Sequence, residues 1–351
     1  MNASKRTWYV VGGIVLLAGL LVLPFLFKNF RVFQFNMVMI YAIAVLGLNI
    51  LTGYNGQISL GHGAFYAIGA YVAAMLMAYG HWPFWLTLPV AAAVCFAVGY
   101  LMGFPALRLG GHYLALATFA LALAVPQLLK YKAIEGWTGG VMGIVLNKPE
   151  PPFELTVLGQ PLSQDRWLYF VILAVLLLML LIAWRLLRGR VGRALIAIRD
   201  HPIAAAAMGI NLPVFKSITF GVSAAYTGVA GALGAVAVAF VSPDSFTVFL
   251  SITFLVGVVV GGLATIHGAI FGAIFIQFVP HWAEDISKSA PWAIYGVFLI
   301  VLMYVMPTGV AGLLDRVFGA LRRPAAPVNT PAARPAPAVA PPSTHPAGGP
   351  S

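Results

Sequence analysis

Three histidines, His62, His112 and His267, stand at the ends of long apolar runs or at breaks between them. Imidazole can carry a proton near neutral pH, so these are the candidates for a relay at membrane depth. No acidic residue lies well inside an apolar run, although ion-coupled carriers generally draw on Asp, Glu or His there. A histidine at a break serves equally as a hydrogen-bonded structural group, and that is the reading taken for each. The densest polar chemistry surrounds His62. Residues 51–76 read LTGYNGQISLGHGAFYAIGAYVAAML, with Gly53, Tyr54, Asn55, Gly56, Gln57, Ser59, Gly61 and Gly63 beside that histidine. Backbone and polar groups in lipid must find partners inside the protein. The stretch therefore predicts a turn at Gly53–Gly56, with Gln57 and Ser59 satisfying backbone groups where a helix restarts. Gly61, Gly63, Gly69 and Ala70 would let a neighbouring helix come close.

Other chemistry is missing from the sequence. No G-x-x-x-x-G-K-[ST], H-E-x-x-H or G-x-S-x-G occurs, and no cluster of Cys, His and carboxylates has metal-ligand spacing. An intramembrane enzyme and a self-powered pump are both disfavoured, and neither a metal nor a cofactor is expected on this chain. The single cysteine, Cys95, lies within an apolar run and has no partner for an intramolecular disulfide.

These residues need elements to hold them, and composition says which kind. The chain is 61% hydrophobic and 8% charged, against about 25% charged in a soluble domain. The fold class expected is all-α, a polytopic membrane protein. Windows of about 20 apolar residues fall near 8–27, 33–51, 58–79, 84–104, 112–130, 166–187, 214–240, 246–265, 267–281 and 291–306. The eighth and ninth are read either as two helices or as one long broken element. The first apolar run follows Lys5 and Arg6, is not followed by a small-x-small cleavage pattern, and reads as a first membrane helix.

With the N-terminus inside, ten spans return the C-terminus inside. Lys5, Arg6, Arg108, Arg185, Arg188, Arg190, Arg193, Arg199, Lys216, Arg316, Arg322, Arg323 and Arg334 then face the cytoplasm, most of the chain's 20 Lys and Arg. That bias is the one that orients membrane proteins. The net charge of +11 is thus mostly topological, and nucleic acid is not an expected partner.

The permease domain expected is 1–315, with an outer loop at 131–165 and a cytoplasmic loop at 188–213. Residues 316–351 form a Pro/Ala-rich tail that cannot bury a core. The outer loop contains Pro149, Pro151, Pro152 and Pro161, which oppose a long helix. In the cytoplasmic loop, 193–199 and 202–208 predict two short helices with a bend at Asp200-His201-Pro202. Pro202 suits a first turn, Asp200 is placed to cap it, and Gly209 suits the stop. The second helix is small and almost uncharged. It fits either a groove on a partner protein, with Arg193 and Arg199 pairing carboxylates there, or a lipid surface with anionic head groups. His-Gly-Ala recurs at 62–64 and 267–269, by chance or as an internal repeat of the kind transporters carry.

Five segments, in order over about 33–312, resemble the permeases of branched-chain amino-acid ABC transporters. They are Gly53–His62 with Phe65 and Gly69-Ala70-Tyr71; Gly111–Thr118; Thr138-Gly139-Gly140 with Gly143; Gly192-Arg193-Ala194 through Ala197–Asp200 and Met208-Gly209-Ile210; and Gly261-Gly262-Leu263-Ala264-Thr265 through Gly268 and Gly272. The second and third segments make the chain similar to the LivM-type subunit rather than its shorter partner. The resemblance implies a subunit in the bacterial inner membrane. It would pair with a second homologous permease, two cytoplasmic ATPase subunits that bind the ATP, and an extracytoplasmic protein delivering Leu, Ile or Val. It also turns the Ala-rich helix towards docking in an ATPase groove, through Gly192, Arg193, Arg199, Asp200, Ala205, Met208 and Gly209. Polarity, position and resemblance together nominate Gln57, Ser59, His62, Tyr71, Thr118 and Thr138 for the substrate path. They nominate Gly53, Gly56, Gly61, Gly63, Gly139, Gly140, Gly261 and Gly262 for helix breaks. The family often has acidic residues after Arg199-Asp200 and within the Ala run, where His201, Pro202 and Ala206 stand here. Charge pairing with an ATPase is reduced accordingly. Urea or short amides are alternative substrates, and a passive channel or a membrane scaffold are the competing classes.

Overall fold

A computed structural model describes residues 18–108, 111–152, 156–157, 160–286, 288 and 290–322. The first part of the expected span 8–27, the His112 side chain and the Pro/Ala tail beyond 322 lie outside the described residues.

Helical turns at 18–26 (α1) lead through Lys28 into α2 (Asn29–Asn49), which runs directly into a π-helix at Ile50–Tyr54. An extended segment, 55–61, precedes α3 (His62–Ala78). Then come α4 (Phe84–Arg108), α5 (Gly111–Leu129) and the four-residue α6 (Glu135–Thr138). Four two-residue strands follow the chain: β1 (Ile144–Val145), β2 (Thr156–Val157), β3 (Gln160–Pro161) and, much later, β4 (Phe240–Val241). β1 pairs antiparallel with β4, and β2 with β3. The helices continue as α7 (Gln164–Arg188), α8 (Arg190–Asp200), α9 (Pro202–Ala207), α10 (Leu212–Val238), α11 (Val248–Gly261), α12 (Gly268–Ile286), α13 (Pro291–Val305) and α14 (Gly309–Arg322).

Local chemistry sets several ends. The Ser163 hydroxyl caps α7 by accepting the Arg166 N–H, and the Asn211 amide oxygen caps α10 by accepting that of Val214. Prolines open α9, α10 and α13, where a missing N–H costs nothing.

Among the described residues six helices are long and apolar enough to cross a membrane. A seventh arises if Tyr113–Leu129 and Lys132–Thr138, bent by 58°, count as one span. The expected spans at 58–79 and 246–265 are shortened. Helix α3 starts only at His62, because 55–61 is held by side chains from other helices. Helix α11 ends at Gly261. A Cβ on Gly272 would strike the Gly257 backbone, and one on Gly261 the Gly268 backbone. Those pairings run in opposite directions, so α11 and α12 form a tight antiparallel hairpin rather than one long broken element.

Helices α2 and α10 are central, each with 83% of its most apolar stretch buried, against 22% for 84–104 and 11% for 293–314. The peripheral helices thus keep apolar faces for lipid or for other chains. Helix α10 packs on α4, α3 and α2 through glycines: Gly99 and Gly103 of α4 meet α10, and Gly228 of α10 meets Cys95.

Contacts sort the helix ends into two sets. One set gathers 24–29, 130–145, 165 and 240–246. Arg166 Nε donates to the Pro24 carbonyl, Asn36 Nδ2 to that of Asp165, Lys130 pairs with Asp244, and Lys148 pairs with Asp165. The other set gathers 53–56, 190–200, 262–265 and 308.

Candidate functional site

The polar stretch around His62 is a hydrogen-bonded junction of distant elements. Ser223 Oγ of α10 donates to the Gly47 carbonyl of α2 at 2.6 Å, so it accepts from His62 Nε2 at 2.7 Å. His62 Nδ1 then accepts from Ser59 Oγ at 3.0 Å, and Ser59 Oγ accepts the Gly61 N–H at 3.3 Å. Every donor is used once when His62 is the neutral tautomer with its proton on Nε2. His62 is fully buried, with rings of Phe65 and Phe220 around it. Its role here is to tie α3 and 55–61 to α10 and, through Ser223, to α2. His62→Phe leaves the Ser59 and Ser223 hydroxyls short of a buried partner. It is expected to lower the unfolding free energy by about 2–3 kcal/mol, read as a drop in the melting temperature of the detergent-purified chain.

Gln57 is used differently from the expectation. The Gln57 side chain accepts from Asn55 Nδ2 at 2.8 Å, and its backbone supplies the turn: its N–H donates to the Leu51 carbonyl, and its carbonyl accepts from Thr52 Oγ1. Ser59 is the one that caps a backbone group. Thr118 Oγ1 accepts the Leu60 N–H at 2.9 Å and joins this cluster, with Gly61 pressed against the Thr118 carbonyl. Tyr71 and Thr138 do not. Tyr71 sits on α3, nine residues beyond His62 and about 13 Å along the helix. It is fully buried with its ring on Phe246, and its hydroxyl has no hydrogen-bond partner among the described residues. Thr138 Oγ1 donates to the Leu129 carbonyl and accepts the Gly140 N–H, holding the turn after α5.

The glycines also divide. Gly53 lies within the π-helix, so the expected turn at Gly53–Gly56 becomes a widened helical turn, closed at Gly56 with φ +73°. Gly61 flanks α3, and Gly63 opens its first turn with an N–H donating to Ser251 Oγ of α11. Gly139 and Gly140 follow α6 with φ +70° and +54°. Gly261 ends α11 and Gly262, at φ +118°, starts the break before α12.

A cavity of about 210 Å³ lies between α2, α3, α10 and α11, on the side of β4. Tyr41, Tyr66, Val238, Phe246 and Leu250 give it an aromatic and aliphatic lining, and Ser245 adds a hydroxyl. Sequence reading passed over these residues, and over Asn49, Ser223 and Ser251. The available signal was a small polar residue inside each otherwise apolar run.

The loop between α7 and α10 folds as two short helices. His201, with φ −145° and ψ 81°, makes the bend, and Gly209 at φ +84° makes the stop. Asp200 does not cap α9. Its carboxylate accepts from Arg199 Nε at 2.8 Å, and that hydrogen bond holds its pKa below the usual carboxylate range. Gly192 is buried where α8 turns off α7, since a Cβ there would strike the Leu187 carbonyl. Arg193 is exposed. Ala205 is buried in the chain itself, so it is not a surface for a partner. The large apolar side chains exposed on α9 and the turn after it are Ile203 at 86% and Met208 at 84%. Arg199 reaches inward, with Nη1 donating to the Gly53 carbonyl.

Comparison with known proteins places the chain in a family. The profile described as "Branched-chain amino acid transport system / permease component" matches residues 31–306. The high-affinity branched-chain amino acid transport system permease protein LivM of Salmonella typhimurium and that of Escherichia coli K12 are each 34% identical over 301 residues, covering 80% of this chain and 70% of theirs. The BraD permease protein of Pseudomonas aeruginosa is 26% identical over 300 residues, covering 78% of this chain and 91% of its own. No solved structure matches the chain. This chain therefore belongs to the branched-chain amino acid transport permease family and is a multi-pass membrane subunit, not an enzyme.

Proposed function

We propose that the chain forms part of the translocation path of an ATP-driven importer for Leu, Ile, Val or related small amino acids in the bacterial inner membrane. A second homologous permease completes the path. Two ATPase subunits bind and hydrolyse the ATP, so no cofactor sits on this chain, and an extracytoplasmic binding protein delivers substrate. Ten crossings are assigned to α1–α5, α7 and α10–α13, with both termini cytoplasmic. The sorting of helix ends into two sets supports that alternation, and the arginines of α7 and α8 mark the cytoplasmic set. Residues 1–315 are then the permease and 316–351 a cytoplasmic extension.

The observation that carries the reading is α9: an exposed, nearly uncharged helix on the arginine-bearing end of a permease-family chain. A passive channel has no use for it. The aromatic cavity supports an aliphatic substrate, because it can take up a branched side chain, and a zwitterion's carboxylate can meet helix N-termini without a buried cation. Rocking of the helices would open the path alternately to each side.

The test is uptake of labelled leucine by vesicles holding the chain, the second permease and the ATPases, with binding protein added. Uptake should require ATP and both permeases. Unlabelled valine and isoleucine should compete, and urea should not. Uptake by this chain alone, without ATP, would replace the importer by a channel.

A further inference from the structure

Arg199 and Asn49 join the cytoplasmic loop to both breaks in the helical core. Arg199 closes α8, and its Nη1 donates to the Gly53 carbonyl at 2.8 Å while Nε is held by Asp200. Gly53 belongs to the π-helix, a wide turn of a kind that concentrates at functional sites. The contact is close packed: a Cβ on Gly56 would stand 2.8 Å from Arg199 Cγ. One turn earlier, the Asn49 amide grips the other break. Its Nδ2 donates to the Thr265 carbonyl at 2.7 Å, and its Oδ1 accepts the Ala264 N–H at 3.0 Å. Ala264 has φ +57°, a conformation a non-glycine residue keeps only when its surroundings impose it. A Cβ on Gly53 would lie 2.5 Å from the Ala264 nitrogen. The π-helix is thus clasped between α8 on one side and the α11–α12 turn on the other.

We propose that Arg199 and Asn49 are positioning residues that carry movement of the α8–α9 loop to the π-helix and to the turn between α11 and α12. This rests on the importer reading, because that reading supplies the force on the loop. Arg199 then acts within the chain. Two of its guanidinium nitrogens are engaged within the chain, Nη1 by the Gly53 carbonyl and Nε by Asp200, while 34% of the side chain stays exposed. Moving α8 pulls on Gly53, and moving the π-helix pulls on Ala264 and Thr265. Both breaks shift together. The His62 junction is anchored on α10 and, through Ser223, on Gly47 of α2, so the segment 55–61 between it and Gly53 must take up the displacement.

Two measurements test this. In the full reconstituted complex, Arg199→Ala should raise the ATP hydrolysed per amino acid imported by about tenfold, with the ATPases still copurifying. Asn49→Ala should do the same, and the double variant should be no worse than about twofold beyond either single, as expected of residues in one chain of contacts. Arg199→Lys should recover much of the coupling, because its ammonium can still donate to Gly53. In the purified chain, hydrogen exchange of amides 50–56 should quicken about tenfold in Arg199→Ala, and that of 262–267 in Asn49→Ala. Unchanged exchange overturns the strut. Loss of the ATPases from the Arg199→Ala complex overturns it as well, by assigning Arg199 to docking. Unchanged coupling overturns its use in transport. If the unaltered complex imports no branched-chain amino acid, the importer reading fails, and exchange still decides the strut.

Discussion

Gly69→Val is expected to leave little folded protein in the membrane. Helix α3 crosses α10 at this point without side chains between them. A Cβ on Gly69 would stand 2.6 Å from the Gly228 Cα, closer still to its carbonyl, and Gly231 of α10 faces the Tyr66 backbone in the same way. On the far side of Gly228 stands Cys95 of α4, with its Cβ 2.7 Å from where a Gly228 side chain would begin. Three helices therefore converge on one spot, and where α3 meets α10 no side chain can rotate aside. Overpacking costs about 1–3 kcal/mol where side chains can yield. Here the neighbours are backbone, and the cost is expected to reach about 3 kcal/mol or more, a large share of the stability a domain possesses. Small residues are also what lets membrane helices associate, since lipid provides no hydrophobic drive between them. Gly296 of α13 gives the contrast. No atom lies within 4 Å of its Cβ position, so Gly296→Ala should change stability by no more than about 1 kcal/mol, in the stabilising direction. Membrane level and detergent melting temperature read both. A Gly69→Val protein that melts with the parent would show that α3 and α10 do not meet as described.

The same crossing shows what the sequence could and could not reveal. That residues 62–78 form a close-packing helix was legible from Gly63, Gly69 and Ala70. That Gly228 and Gly231 receive it was not, because the partner lies about 160 residues away and apolar periodicity says nothing of which faces meet. His62 is a parallel case. Its type and place at a break were plain, while its partner Ser223 is separated by 161 residues and Gly63's partner Ser251 by 188. The π-helix has no compositional signature, since Ile-Leu-Thr-Gly-Tyr reads equally well as α-helix followed by turn. Asp200 met the usual conditions for an N-cap, but the neighbouring guanidinium is a stronger partner for a carboxylate than a backbone N–H. The two-helix form of 190–207 was legible because Pro202 and Gly209 punctuate it locally. Which face of α9 is free depends on its packing, and that is why Ala205 was nominated and Ile203 passed over. Of the six residues nominated for the path, four meet around 55–62 and Thr118, whereas Tyr71 stands about 13 Å further along α3 and Thr138 holds the turn after α5.

Replacing Ile203 and Met208 together by Glu is expected to abolish ATP-dependent uptake while the chain still inserts and melts like the parent. Both side chains are almost fully exposed on a six-residue helix and the turn that follows it. Exposure of two large apolar groups on so small an element is costly unless something covers them. In the importer proposed above, that cover would be an ATPase groove. Burying an Ile or a Met contributes about 1.5–3 kcal/mol, so the pair contributes about 3–6 kcal/mol. Losing that amount weakens association by about a hundredfold or more. Two carboxylates carried into the groove add a desolvation cost. Because residues 201–208 hold no acidic side chain, charge pairing has less to offer in compensation, and the loss should stay large when the ionic strength is changed. Ala205→Glu is the discriminating variant. Ala205 is buried against its own chain, so a carboxylate there should lower the melting temperature of the isolated subunit, a shift that the Ile203/Met208 double variant should not show. If the double variant retains both uptake and copurifying ATPases, α9 is not the docking element, and its apolar face belongs on lipid instead.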